Sequence, residues 1–147
     1  MDNHLFFFVA VVAGMSMAIQ GSLNSVLGKI VGELEATLIV HIIALLLLGL
    51  ILFIFHWGQG DLKKVASAPW YSYLGGILNI FILYGVMFSI PRLGVSNATT
   101  AIVASQVLTA VTIDHFGWWG LEQISVHWKQ GVGLIFLALG VKLLIRT

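Results

Sequence analysis

The sequence predicts an all-α integral membrane protein, a bundle of five transmembrane helices. Composition makes the first case. Of 147 residues, 59% are hydrophobic and only 9% charged, with a mean hydropathy of +1.02, whereas a soluble domain carries roughly 25% charge. Patterning makes the second. The apolar residues fall in long runs and not in the strand-length alternation of a barrel, so helices must satisfy the backbone groups inside lipid. A ~30 Å hydrocarbon core needs ~20 residues at ~1.5 Å rise. Spans are expected at about 5–27, 36–56, 70–90, 94–116 and 129–146, in one membrane domain over residues 1–147.

The first span carries Ala10, Gly14, Ala18 and Ser22 every four residues, a stripe of small residues that admits a neighbouring helix. Gln20 and Asn24 share a different face. A cleaved signal peptide is the competing reading, since Ser16-Met17-Ala18 loosely fits a cleavage site, but no Lys or Arg precedes the apolar run. Gly28 and Gly32 are expected to break the helix, leaving Lys29, Glu33 and Glu35 in the first loop. The second span is rich in Ile and Leu but contains His41, either hydrogen-bonded to a neighbouring helix or a titratable group in a pathway.

The connection Trp57–Pro69 is polar, with Asp61, Lys63 and Lys64, and is flanked by Trp57, Trp70, Tyr71 and Tyr73 as an aromatic belt would be. In the third span Gly75 and Gly76 permit close packing, Asn79 lies near mid-membrane, and Tyr84 reads as a packed ring. Pro91 is expected to push Ile90 out of the α region and, with Gly94, to make a tight corner. The fourth span is too polar for simple anchoring: Thr99, Thr100, Ser105, Gln106, Thr109 and Thr112 should face something polar. Asp114, His115 and Gly117 close it. The fifth span has almost no polar side chain before Lys142, places Gly133 and Gly140 on one face, and reads as structural, with Lys142 and Arg146 snorkelling to the surface.

Depth groups the polar residues. Asn79 and Gln106 lie near the midplane, Gln20 roughly 6 Å beyond its span's centre and His41 roughly 7 Å short of its own, on the same side. Polar groups inside a membrane usually face a bundle interior or cavity. A solute-binding set of Gln20, Asn24, Asn79 and Gln106 is therefore expected, with His41, Arg92 and Asp114 as gating or coupling positions. The competing assignment is a scaffold or accessory subunit whose polar residues only lock helices together.

No catalytic constellation, cofactor motif or metal-ligand spacing is present, and the chain has no cysteine. A non-enzyme without cofactor or metal is expected, and the absence of a Walker motif excludes direct use of ATP. Net charge of +1 gives no basis for a nucleic-acid partner; the partners expected are a small-molecule solute and the bilayer. Orientation is undecided by charge. Counting from the amino terminus, the first face holds Lys63, Lys64 and Lys129, and the second holds Lys29, Arg92, Lys142 and Arg146. Three against four is no clear excess, and insertion in both orientations, with antiparallel pairing, is one of two readings.

Gln20-Gly21-Ser22-Leu23-Asn24, Gly75-Gly76, Pro91-Arg92-Leu93-Gly94, and Gln106 with Ile113-Asp114-His115-Phe116-Gly117 resemble the five-helix YdcZ-type branch of the drug/metabolite transporter superfamily. The resemblance covers nearly the whole chain. It implies a bacterial inner-membrane, multi-pass transporter that works as an antiparallel homodimer, each chain being half of an inverted ten-helix assembly. Ser105 stands where such proteins usually have glycine, and His41 where they usually have an aromatic. The first span lacks the carboxylate of the small multidrug relatives, so the resemblance does not extend to their cation/proton exchange.

Overall fold

The computed structural model describes residues 3–145, the side chain of Asn3 excepted; Arg146 lies outside them. Five α-helices carry the chain: α1 (Asn3–Val31), α2 (Glu33–Gly49), α3 (Leu74–Leu93), α4 (Val95–Phe116) and α5 (Trp128–Leu144). Among the described residues, three stretches are helical, long and apolar enough to cross a membrane: His4–Val31, Glu33–Ile54 and Trp70–Leu93. Helix α4 has the length, 22 residues, but many polar side chains, and α5 has 17 residues. The chain divides into two compact units, one ending at Pro91 and one beginning at Arg92.

In the first unit α1 and α2 form a hairpin joined by one residue. Gly32 has φ +100, a conformation open to glycine because a Cβ would clash; here the Glu35 carboxylate would crowd it too. Its N–H closes α1 on Gly28 O at 2.9 Å, and its carbonyl opens α2 by accepting from Ala36 N at 2.9 Å. The expected loop is therefore reduced to Gly32. Gly28 does not break the helix; its missing side chain admits Met87 and Glu33. Ala36, Leu83 and Met87 form the core of this joint, with Leu27 and Val40 packed against it.

At Gly21 α3 comes close to α1: a Cβ there would stand 2.9 Å from Val86 Cγ1 and 3.2 Å from Ile90 Cδ1. The packing stripe of α1 is thus Gly21 and Gly28, not Ala10 and Gly14, which are exposed; Gly14, like Gly75 and Gly76, has open space about it. Pro91 does not make the expected corner. It lies inside α3, where Ile90 remains helical and buried, and the break falls at Gly94, φ +82. Having no N–H, Pro91 leaves the carbonyl one turn earlier, at Met87, without its helical donor, and the helix ends two residues later.

Helix α2 ends in a π-turn, Leu50–Ile54, and the return to α3 runs through two 3₁₀ turns, Leu62–Ser67 and Trp70–Tyr73. Asp61 caps the first, its Oδ1 accepting from Lys63 N at 2.9 Å. In the second unit Gly117, left-handed at φ +59, ends α4. The chain then folds back on that end: Ile124 N donates to Asp114 O at 2.8 Å and Gln123 Nε2 to His115 O at 2.9 Å. These bonds satisfy carbonyls that a helix leaves open at its C-terminus. A capping box starts α5, with His127 Nδ1 accepting from Lys129 N at 3.3 Å and Gln130 Oε1 from His127 N at 2.9 Å.

Candidate solute site in two parts

Of the four residues expected to bind solute, Asn79 has a partner within the first unit. Its Nδ2 lies 2.8 Å from His41 Nε2, and His41 Nδ1 lies 2.7 Å from Thr37 O. A carbonyl can only accept, so Nδ1 carries the proton and Nε2 accepts from the Asn79 amide. The result is a directed chain, Asn79 N–H to imidazole to Thr37 O, that ties α3 to α2. The Thr37 hydroxyl in turn donates to Glu33 O at 2.7 Å. His41 is half-buried, and Asn79 is exposed to the surroundings of the protomer.

Asn24 is different. It is 7% exposed, and its Nδ2 has no hydrogen-bond partner. Spacing places it one turn from both Gly21 and Gly28, on the face of α1 where α3 approaches. Gln20, one turn earlier, is exposed.

The second unit supplies an open groove of about 330 Å³ between α4 and α5, lined by Thr99, Thr100 and Val103 on one side and Phe136, Leu137, Gly140, Val141 and Leu144 on the other. Its walls are apolar apart from the two threonines. That volume is at the lower end of small-molecule sites. Thr99, Val103 and Gln106 follow one another at helical spacing, so Gln106 continues the groove wall by one turn. It is exposed. Two hydroxyls that the sequence suggested were also seeking polar surroundings are satisfied on their own helix: Ser105 Oγ donates to Ile102 O and Thr112 Oγ1 to Leu108 O, each at 2.8 Å. Back-bonding of this kind removes the penalty of facing lipid. Gln106 and Thr109 have no such bond and are left as mid-helix polar groups, Gln106 with the larger hydrogen-bonding capacity.

Arg92 lies in the last turn of α3 and Asp114 in the last turn of α4, both exposed. A cation there complements the helix dipole, and a carboxylate opposes it. What the sequence reading missed is the contribution of α5. Its Gly140, taken as a helix-contact residue, lines the groove and has open space where a side chain would be. The absence of polar residues on α5 disguised it, because an apolar wall and a packing face are written in the same letters.

The family model described as "Putative inner membrane exporter, YdcZ" matches residues 5–143. The chain belongs to the YdcZ family. It is similar to the inner membrane protein YdcZ of Escherichia coli (strain K12), at 24% identity over 151 residues, covering 99% of this chain and 98% of that protein. No solved structure matches the chain. The resemblance read from the Gln20–Asn24, Pro91–Gly94 and Ile113–Gly117 motifs is borne out. Membership makes this a multi-pass protein of the inner membrane, and the family description supports a transporter-like role.

Proposed function

We propose that this YdcZ-family chain is a secondary transporter of the drug/metabolite type, moving a small polar or amphipathic solute by alternating access. Its working form is an antiparallel homodimer of five-span protomers, with α4 and α5 as the fourth and fifth spans. The observation that carries the proposal is the α4–α5 groove, with Gln106 one helical turn beyond its lining residue Val103. An amphipathic solute fits this division: apolar body against Phe136 and Leu137, polar group toward Gln106 and the threonine hydroxyls. Gln20 and Asn24 on α1 and Asn79 on α3 supply further hydrogen-bonding groups, and Arg92 and Asp114 act at opposite mouths. Two protomers inserted in opposite directions form the inverted repeat on which alternating access is built.

A second reading has one observation in its favour. The Asn79–His41–Thr37 chain is a direct helix-to-helix bond, as expected of a scaffold or accessory subunit. Gln106→Leu separates the two, because it keeps bulk and removes both ends of the amide. Transport predicts that fold and dimer persist while solute-induced thermal stabilisation and flux into liposomes disappear. The scaffold reading predicts a fall in thermal stability itself. A variant that transports as well as the parent removes Gln106 from the site.

A further inference from the structure

The segment between α2 and α3 is built as a strap with two chemically distinct sides. In a 3₁₀ helix residues three apart eclipse one another. Within Leu62–Ser67 this puts Leu62 and Val65 on one edge and gives the other two edges to Lys63 and Lys64. Leu62 and Val65 are 65% and 56% exposed, and Trp57 and Trp70, on either side of the strap, are 73% and 75% exposed. An apolar edge of this kind facing water would be costly. At the boundary of a bilayer it dips among the acyl chains while the lysines reach the headgroups.

The strap is also held in place. The Tyr73 hydroxyl, from the turn that leads into α3, donates to Val65 O. Asp61 Oδ1 fixes the first turn through Lys63 N. At the other end the strap lies so close to the π-turn that a Cβ on Gly58 would meet Leu52 Cδ2 at 2.7 Å. Beside that contact is a cavity of about 330 Å³ lined by Leu52, Phe53, Gly58, Gly60, Asp61 and Leu62. Its lining joins the apolar Leu52, Phe53 and Leu62 to glycine backbone and the Asp61 carboxylate, a mixed surface suited to a lipid's glycerol region. One carboxylate against two ammonium groups leaves the strap positive.

We propose that the strap Trp57–Trp70 is a binding surface for anionic phospholipid, with Lys63 and Lys64 on the headgroup phosphate and the Leu52–Phe53 cavity beneath it. Each lysine near a charged membrane surface strengthens binding about fivefold. Native mass spectrometry on full-length protein released from micelles containing equal phosphatidylglycerol and phosphatidylcholine reads this directly. The parent retains phosphatidylglycerol preferentially. Lys63→Gln with Lys64→Gln weakens that retention by about 25-fold at low salt, and Lys29→Gln, on the opposite face, leaves it unchanged. Equal retention of the two lipids by the parent, or undiminished retention by the double variant, overturns the proposal. If the double variant fails to fold, the parent alone decides: the preference must fall between 0.05 and 0.5 M salt, since exposed charge pairs are screened, and a preference indifferent to salt overturns it equally.

Discussion

An amide N–H enclosed by apolar packing without an acceptor costs about 1–3 kcal/mol, and Asn24 holds such a group on the α1 face that meets α3. Asn24→Leu is therefore expected to raise the thermal midpoint of the purified protein while erasing any solute-induced shift. A variant less stable than its parent would mean that the amide is bonded in the assembled protein and serves packing. The Asn79–His41 bond calls for the opposite expectation. A double-mutant cycle with Asn79→Leu and His41→Leu should give a favourable coupling of about 0.6 kcal/mol, the average for interhelical bonds in membranes. Zero coupling, measured by unfolding in detergent, would assign the two residues to solute and not to each other.

At the scale of elements, the turns are the most exacting pieces. Gly117 needs a left-handed conformation, and a Cβ there would stand 3.1 Å from Leu121 O and 3.2 Å from Gln123 Cβ. Gly117→Ala is expected to cost on the order of 1–2 kcal/mol from backbone strain alone. The loss should appear as faster amide exchange at Ile124, whose N–H closes the turn on Asp114 O. This stop was legible in the sequence, since Asp-His-Phe-Gly after an apolar run announces a helix end. The corner at Pro91 was misread because one lost hydrogen bond does not end a helix whose Ile90 is buried against its neighbours, and the left-handed turn waits for Gly94. His127 was passed over because histidine is not among the usual N-cap residues, although His127-x-x-Gln130 has the spacing of a capping box. The α1 packing face was misassigned for a different reason: several small-residue stripes run along one helix, and which of them meets a neighbour depends on Val86, Met87 and Ile90, on a helix some sixty residues away in the chain. The groove was illegible for the same reason, being a relation between α4 and α5 that neither stretch contains alone.

The whole molecule presents apolar side chains on almost every surface, and among the described residues α5 has no buried one. Lipid satisfies much of that surface, and a second copy would satisfy the rest. The charge count of three against four across the two faces leads to the expectation that both orientations occur. Carboxy-terminal fusions to a cytoplasm-active and a periplasm-active reporter should both be active in one strain. Activity of one alone, unmoved by an added lysine on either face, would sink dual insertion. Lipid binding at the strap bears on the same balance, because Lys63 and Lys64 are two of the three Lys and Arg residues on their side.

Among the described residues, the first three helices share a buried cluster near one end, at Gly21, Gly28, Ala36, Leu83 and Met87, while a Cβ added at Gly14, Gly49, Gly75 or Gly76 farther along would meet nothing within 4 Å. Mechanically this resembles a clothes peg whose spring is that cluster. Leu74 lies about 14 Å from Leu83 at helical rise, so a rocking of roughly 10° at the spring carries the tip of α3 through about 2 Å without disturbing the spring itself. The Asn79–His41 bond sits just beyond the spring, a clasp that stays shut through small excursions and must let go for large ones.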